Sequence, residues 1–158
     1  MSNFKIIKLI DKNSPYLPKL IEWQNNWWGK RDGYIKDEVI CFMENMLGDA
    51  RIPQTYIAIV DDEVVGCYQF EMCDLAIRPD IYPWLANVYI DKNHRGKGYC
   101  RQLMESVKEN ARKTGLHELY LYTEHQGLYE KFGWTLIEKI DTFTKTPRLQ
   151  SLYRLEIE

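Results

Sequence analysis

The chain lacks the marks of several common protein classes. None of its four cysteines, Cys41, Cys67, Cys73 and Cys100, forms a C-x-x-C pair, and none of its three histidines stands at a metal-ligand spacing from them. A structural metal, a redox pair or a disulfide framework is therefore not expected, and four reduced thiols fit a cytoplasmic protein. No apolar run approaches the ~20 residues that a membrane span needs. The N-terminal MSNFKIIKLIDKN has only a short apolar patch and no small-residue cleavage site, so no signal peptide is read. Excess charge of one sign is also missing. The formal net charge is −2, and a protein that grips a nucleic-acid backbone is usually more basic.

Linkers rich in Gly and Ser, internal repeats and low-complexity runs are absent as well. The 158 residues read as a single domain, 1–158, long enough to bury a core unaided. What is abundant is aromatic: 11 Tyr, 5 Trp and 5 Phe. Such residues fill cores, and they also line pockets.

The apolar periodicity changes along the chain. Residues 4–10 (FKIIKLI) read as a strand. Ser14-Pro15 reads as an N-cap followed by proline at the first helical position. A turn over residues 29–33 leads to a second helix with Val39, Phe42, Met43, Met46 and Leu47 on one face, closed by Gly48. Residues 55–60 and 64–72 read as a hairpin around Asp61-Asp62. Residues 84–90 (WLANVYI) form a further strand. A helix over 98–113 carries Cys100, Leu103, Met104, Val107 and Ala111 on its apolar face. A strand at 118–122, a short helix at 127–132 and strands at 134–140 and 151–157 complete the order β-α-α-β-β-β-α-β-α-β-β. That order predicts a mixed α/β (α+β) fold around one central sheet.

One stretch carries chemistry: VYIDKNHRGKGYCRQL, residues 88–103. A strand runs through Arg95-Gly96-Lys97-Gly98-Tyr99-Cys100 directly into an amphipathic helix. Glycines let the backbone approach an anion, and free N–H groups at a helix start favour negative charge there. From Lys92 to Lys113 there are seven Lys or Arg and only two acidic residues. Basic charge is thus concentrated as a polyphosphate site requires. Neither the G-x-x-x-x-G-K-[ST] phosphate loop nor the G-x-G-x-x-G dinucleotide fingerprint is present.

Arg95-Gly96-Lys97-Gly98-Tyr99-Cys100 resembles the R/Q-x-x-G-x-G/A acyl-CoA signature of the GCN5-related N-acetyltransferase (GNAT) superfamily, with Cys100 in place of the last small residue. Some 30 residues on, Leu128-Tyr129-Glu130-Lys131-Phe132-Gly133-Trp134 resembles the family's second element, F/L-Y-x-x-x-G-F/W. The resemblance implies a strand 84–90 that splays from its neighbour. Backbone groups of Val88, Tyr89 and Ile90 would then pair with the pantetheine arm of acetyl-CoA. N–H groups from Arg95 to Cys100 would hold the pyrophosphate without a metal. It also implies Tyr129 near the thioester sulfur, as the acid that protonates the leaving thiolate. An amine acceptor would attack the thioester directly.

The family's glutamate base on the fourth strand aligns here with Trp84, so Asp74 is the first candidate base and Glu71 the second. A thiol nucleophile from Cys67, Cys73 or Cys100 is not required by direct transfer. Thr123-Glu124-His125-Gln126 replaces the family's Asn-containing loop, with His125 read as a loop residue near the cofactor. The Trp27-Trp28 pair beside Asn25 and Asn26 is placed at the acceptor slot, and Trp23 against the sheet. Acetyl-CoA and an amine are the expected partners, with no nucleic acid or membrane, for a monomer or homodimer. The alternative is a catalytically silent CoA-binding regulatory domain on the same scaffold.

Overall fold

The computed structural model describes residues 3–143 and 149–158. Seven strands form one sheet: β1 (Phe4–Leu9), β2 (Gln54–Val60), β3 (Glu63–Glu71), β4 (Trp84–Ile90), β5 (Glu118–Thr123), β6 (Thr135–Asp141) and β7 (Leu149–Glu156). Their spatial order is β1-β2-β3-β4-β5-β7-β6. Every pairing is antiparallel except β4 with β5, which is parallel. The expected mixed fold is observed, and the expected order of elements holds approximately, with a short extra helix before α3 and a 3-10 helix, Tyr129–Phe132, where a helix over 127–132 is expected.

Helices cover both faces. Helix α1 (Leu17–Gln24) continues through a π-turn (Asn25–Gly29) into α2 (Lys30–Asp32), and α3 is Lys36–Glu44. On this side Leu17, Leu20, Trp23, Val39 and Met43 pack on Ile57, Ile59, Val64 and Cys67. On the opposite face α4 (Tyr99–Lys113) buries Leu103, Met104, Val107 and Ala111 against Tyr56, Ala58, Tyr68, Phe70, Leu119 and Leu121. Strand β2 is buried along its whole length because both of its faces are covered. A third cluster, Leu75, Ile81, Trp84, Ile140 and Leu152, lies beneath the loop joining β3 to β4.

Three boundary expectations are corrected. Ser14 does not cap α1. Its Oγ accepts from the Tyr16 N–H at 3.2 Å in a local turn, and the helix starts at Leu17 with a proline in its first turn. The segment 29–33 is not a turn but helix, ended only by Gly33 at φ 80°. Gly29 is small there because a Cβ would stand 3.0 Å from Val39 Cγ2, so it allows α3 to approach. Gly48 does not close α3, which ends at Glu44 with Asn45 as its C-cap. It instead sits where a Cβ would collide with the Arg51 and Pro53 carbonyls.

The sheet is interrupted at its centre. β4 and β5 share a single register pair, Trp84 with Tyr120, beside one bond from the Tyr120 N–H to the Pro83 carbonyl at 3.0 Å. Beyond it the strands diverge. On its other edge β4 stays paired with β3, but the register shifts between Cys67 and Gln69. Asn87 stands at that irregularity with φ 54°, a left-handed conformation that asparagine tolerates better than most residues.

Gly66 lies where β3 crosses the far half of β4. A Cβ there would stand 2.7 Å from the Tyr89 carbonyl and 2.9 Å from Ile90 Cδ1. Gly66→Ala should push β4 outward and cost about 1–3 kcal/mol. A urea midpoint that falls with an unchanged slope checks this.

Candidate active site

The gap between β4 and β5 opens into a cleft of about 580 Å³. Leu85, Ala86, Asn87 and Val88 line it from β4, and Leu121, Tyr122 and Thr123 from β5. Past Trp84 the backbone groups on the β5 side of β4 have no strand partner among the described residues. Such groups must bond to water or to a ligand. Of the residues assigned to the pantetheine arm, Val88, Tyr89 and Ile90 are all half-buried at this edge. The Tyr89 ring turns to the other layer, 4.9 Å from Trp23 and 6.2 Å from Trp27. Only the backbone of Tyr89 can serve as a strand-like partner.

The glycine-rich turn follows the end of β4, and Cys100 at the start of α4 lies near Tyr129 of the cleft wall, although none of residues 95–100 lines the cleft itself. Gly96 and Gly98 have φ 77° and 81°, and a Cβ on either would meet nothing within 4 Å. Gly98 is the N-cap of α4, and no side chain caps the helix. The first N–H groups of α4 are thus free to receive an anion at the positive end of a 15-residue helix. Arg95 and Lys97 are exposed. The Arg95 Nε donates to the Ile90 carbonyl at 2.9 Å, and the guanidinium lies 5.5 Å from the Tyr89 ring centre. That side chain closes the end of β4. The Tyr99 ring is buried and stacked on Phe4 at 5.2 Å, so only its backbone faces the turn. Cys100 is half-buried, and burial raises its thiol pKa.

Tyr129 begins a short 3-10 helix (Tyr129–Phe132) ended by Gly133 at φ 90°. Leu128 and Phe132 both pack on the main core, as their spacing suggests. The Tyr129 ring is buried, 6.0 Å from Trp134 and 5.9 Å from Tyr153, and it also lines the cleft. Burial, with the Cys100 side chain nearby, pushes its hydroxyl pKa up, so it stays protonated at neutral pH.

The candidate bases lie deeper. Glu71 ends β3 directly opposite Trp84, and Asp74 lies beyond the strand in the following loop. Both line the cleft, as does Cys73. Trp84 itself is fully buried and donates from Nε1 to the Ile81 carbonyl at 2.8 Å, so that position is structural. Burial raises the Glu71 pKa well above the ordinary carboxylate range, and repulsion from Asp74 adds to it. Burial likewise pushes Asp74 up to about 6, against the opposing pull of its hydrogen bond with Glu71 and of Arg31. The two carboxyls therefore titrate as a coupled pair, both held above the ordinary range by burial.

A buried polar row fixes this pair. Thr55 Oγ1 donates to the Met46 carbonyl at 2.8 Å and accepts from Gln69 Nε2 at 2.9 Å. Asn87 Nδ2 donates to Gln69 Oε1 at 2.6 Å and to Glu71 Oε1 at 3.2 Å. The residue at the β4 irregularity is thus tied to the buried acid. Asn87, Arg31 and Tyr122 were not foreseen as site residues. An asparagine inside a β-branched strand was the one available signal.

The outer wall comes from the helical side. Trp27 and Trp28 both line the cleft, with Tyr34 and Phe42. Trp28 donates from Nε1 to Gln24 Oε1 at 2.6 Å and packs edge-on against Tyr34 and Phe42. Trp23 is buried, as expected. His125 lines the rim beside Glu124. Among the described residues no group of three or more His, Cys, Asp or Glu is placed to hold a metal ion, and no helix is long and apolar enough to cross a membrane.

Comparison with known proteins accounts for this arrangement. The sequence matches the profile of the Acetyltransferase (GNAT) family over residues 17–134, well over half of the chain, and the protein belongs to that family. No curated protein matches it. Solved structures share its fold at low identity. A GNAT family acetyltransferase from Elizabethkingia anophelis with acetyl-CoA bound is 17% identical, with 98% of each chain covered and a TM-score of 0.67. YncA from Salmonella typhimurium with acetyl-CoA is 20% identical, covering 99% of this chain and 95% of that one, at 0.73. An aminoglycoside 6'-N-acetyltransferase complexed with coenzyme A is 16% identical, covering 98% and 97%, also at 0.73.

A side chain at position 98 would enter the open space above the turn. Gly98→Val should weaken acetyl-CoA binding by about tenfold or more, ~1.4 kcal/mol. The positive φ adds a folding cost of about 1–2 kcal/mol. Titration calorimetry on the folded variant, with Gly98→Ala beside it, checks the binding loss.

Proposed function

We propose that the chain, as one domain, transfers acetyl from acetyl-CoA to a primary amine by direct attack. The observation that carries this reading is the parting of β4 from β5, with an uncapped, glycine-led helix start following β4 in the chain. Pantetheine would pair with the backbone of residues 88–90, and the pyrophosphate would sit on N–H groups of residues 95–100. Acetyl-CoA is a substrate here, and the binding groups need no metal. No observation favours the alternative of a silent CoA-binding regulatory domain.

The chemistry needs one base and one acid. An alkylammonium with pKa near ~10.4 must lose a proton before it attacks. Asp74, ionised above about 6 and open to the cleft, is suited to take it. The amine then forms the C–N bond and the C–S bond breaks. Charge leaving on sulfur is met by the Tyr129 hydroxyl, which burial keeps protonated. Two protons leave the nitrogen, one to Asp74 before attack and one as the tetrahedral adduct collapses; one of them restores Tyr129 after it protonates the thiolate and the other passes to solvent, so the products are the amide, free CoA and one released proton.

Two substitutions test the roles. Tyr129→Phe keeps the ring and its packing, and should lower kcat about 10²-fold with acetyl-CoA affinity nearly unchanged. Turnover at the wild-type rate, with chemistry rate-limiting, would make Tyr129 a packing residue. In the wild type, kcat/KM should rise with pH through about 6 as Asp74 ionises. Asp74→Asn should lose that limb of the profile, which a stopped assay of CoA thiol release across pH 5–8 would reveal.

A further inference from the structure

The polar row beneath the acid pair has a fixed direction. A backbone carbonyl can only accept a hydrogen bond. The Thr55 hydroxyl, 2.8 Å from the Met46 carbonyl, therefore gives its one proton there, and its 2.9 Å contact with Gln69 is one that Oγ1 accepts. Gln69 thus presents Nε2 to Thr55, with Met43 Sδ at 3.5 Å as a second acceptor, and turns Oε1 toward β4. That oxygen accepts from Asn87 Nδ2 at 2.6 Å, which leaves the second amide proton of Asn87 for Glu71 Oε1 at 3.2 Å. Thr55, Gln69 and Glu71 are all buried. Reversing either amide would set oxygen against oxygen and nitrogen against nitrogen inside the protein, where unmet polar groups are most costly. The Asn87 backbone is held separately, by its carbonyl accepting from Cys67 Sγ at 3.6 Å.

We propose that Asn87 is the positioning residue of the acid pair: its amide, oriented from the Met46 carbonyl through Thr55 and Gln69, holds Glu71 Oε1 as an acceptor and confines any proton on Glu71 to Oε2, for sharing with Asp74. This deepens the N-acetyltransferase reading and rests on it for the reaction that the pair serves. A proton confined to one oxygen gives the pair a single geometry of sharing, and a base of fixed aim requires that. The charged or titratable groups that face the pair come from other elements: Cys73 beside Asp74 in the loop after β3, Arg31 and Asp32 from α2, and Tyr122 from β5. Asn87 is the neutral donor from β4. A hydrogen bond to a carboxylate oxygen favours the charged form, so its loss raises the titration of the pair. Thr55 and Gln69 transmit this orientation without lining the cleft.

Carboxyl-carbon NMR of the protein labelled at Glu and Asp, from about pH 4 to pH 9, reads the pair without reference to activity. Thr55→Val keeps the shape of the side chain and removes the hydroxyl that orients the row. It should raise the midpoint of the Glu71–Asp74 titration by about half a pH unit or more. Thr55→Ser keeps the hydroxyl and should titrate as the wild type. Asn87→Gly accepts the left-handed backbone but lacks the amide, and should give the same upward shift. In the wild type the Asn87 side-chain NH2 should exchange slowly with solvent, and its nitrogen shift should follow the midpoint of the pair. An unchanged midpoint in Thr55→Val or Asn87→Gly, an equal shift in Thr55→Ser, or a wild-type Asn87 amide that exchanges freely or ignores the titration would each overturn the proposal while leaving N-acetyl transfer intact. The expected shifts in a protein that acetylates no amine would support the positioning role and overturn the acetyltransferase reading.

Discussion

The absence of ladder bonds between β4 and β5 beyond one register pair governs what this molecule can do. A parallel pair inside a sheet ordinarily satisfies every inward-facing backbone group. Here the far half of β4 keeps its β3 partner and loses the other, so it presents an edge within the body of the protein. An extended ligand with amide groups fits that edge as a strand would. The gap persists because both strands are held from outside it. The β3 pairing and α1-side packing of Tyr89 hold β4, and β7 pairs β5 along its full length.

The same interruption organises the electrostatics. The shift of register places Asn87 in a left-handed conformation, and its amide reaches back to Gln69 and Glu71. The buried acid is thereby oriented from the strand that would carry the pantetheine arm. Burial raises both Glu71 and Asp74 above the ordinary carboxylate range, so the two titrate together. Positive potential is kept apart from this acid, at the glycine turn and the start of α4.

Local chemistry made much of this legible from the residues. Gly96 and Gly98 were assigned to a turn needing unusual dihedrals, and both adopt positive φ. The run of elements was readable because apolar periodicity switches cleanly between strand and helix. The start of α1, the π-turn at Asn25–Gly29 and the role of Gly48 were not readable. Two of these are decided by contacts outside their own element, α3 for Gly29 and the Pro53 carbonyl for Gly48, and the start of α1 by a side chain–backbone bond in the Ser14–Tyr16 turn. The site was readable in the same measure. Tyr129 and residues 95–100 lie on contiguous motifs. The Glu71–Asp74 pair with Arg31 and Tyr122 is assembled from three separate elements, and the sequence marks only Asp74 and Glu71 as candidate bases, with no signal for Arg31 or Tyr122.

The claim on which the rest depends is that acyl-CoA lies in the strand gap. Backbone amide hydrogen exchange with and without acetyl-CoA tests it directly. The account predicts that ligand slows exchange at residues 88–90 and 96–101 together, with little change at the β6 and β7 edge. Protection confined to another surface, or acetyl-CoA binding that leaves both segments exchanging as before, would contradict it.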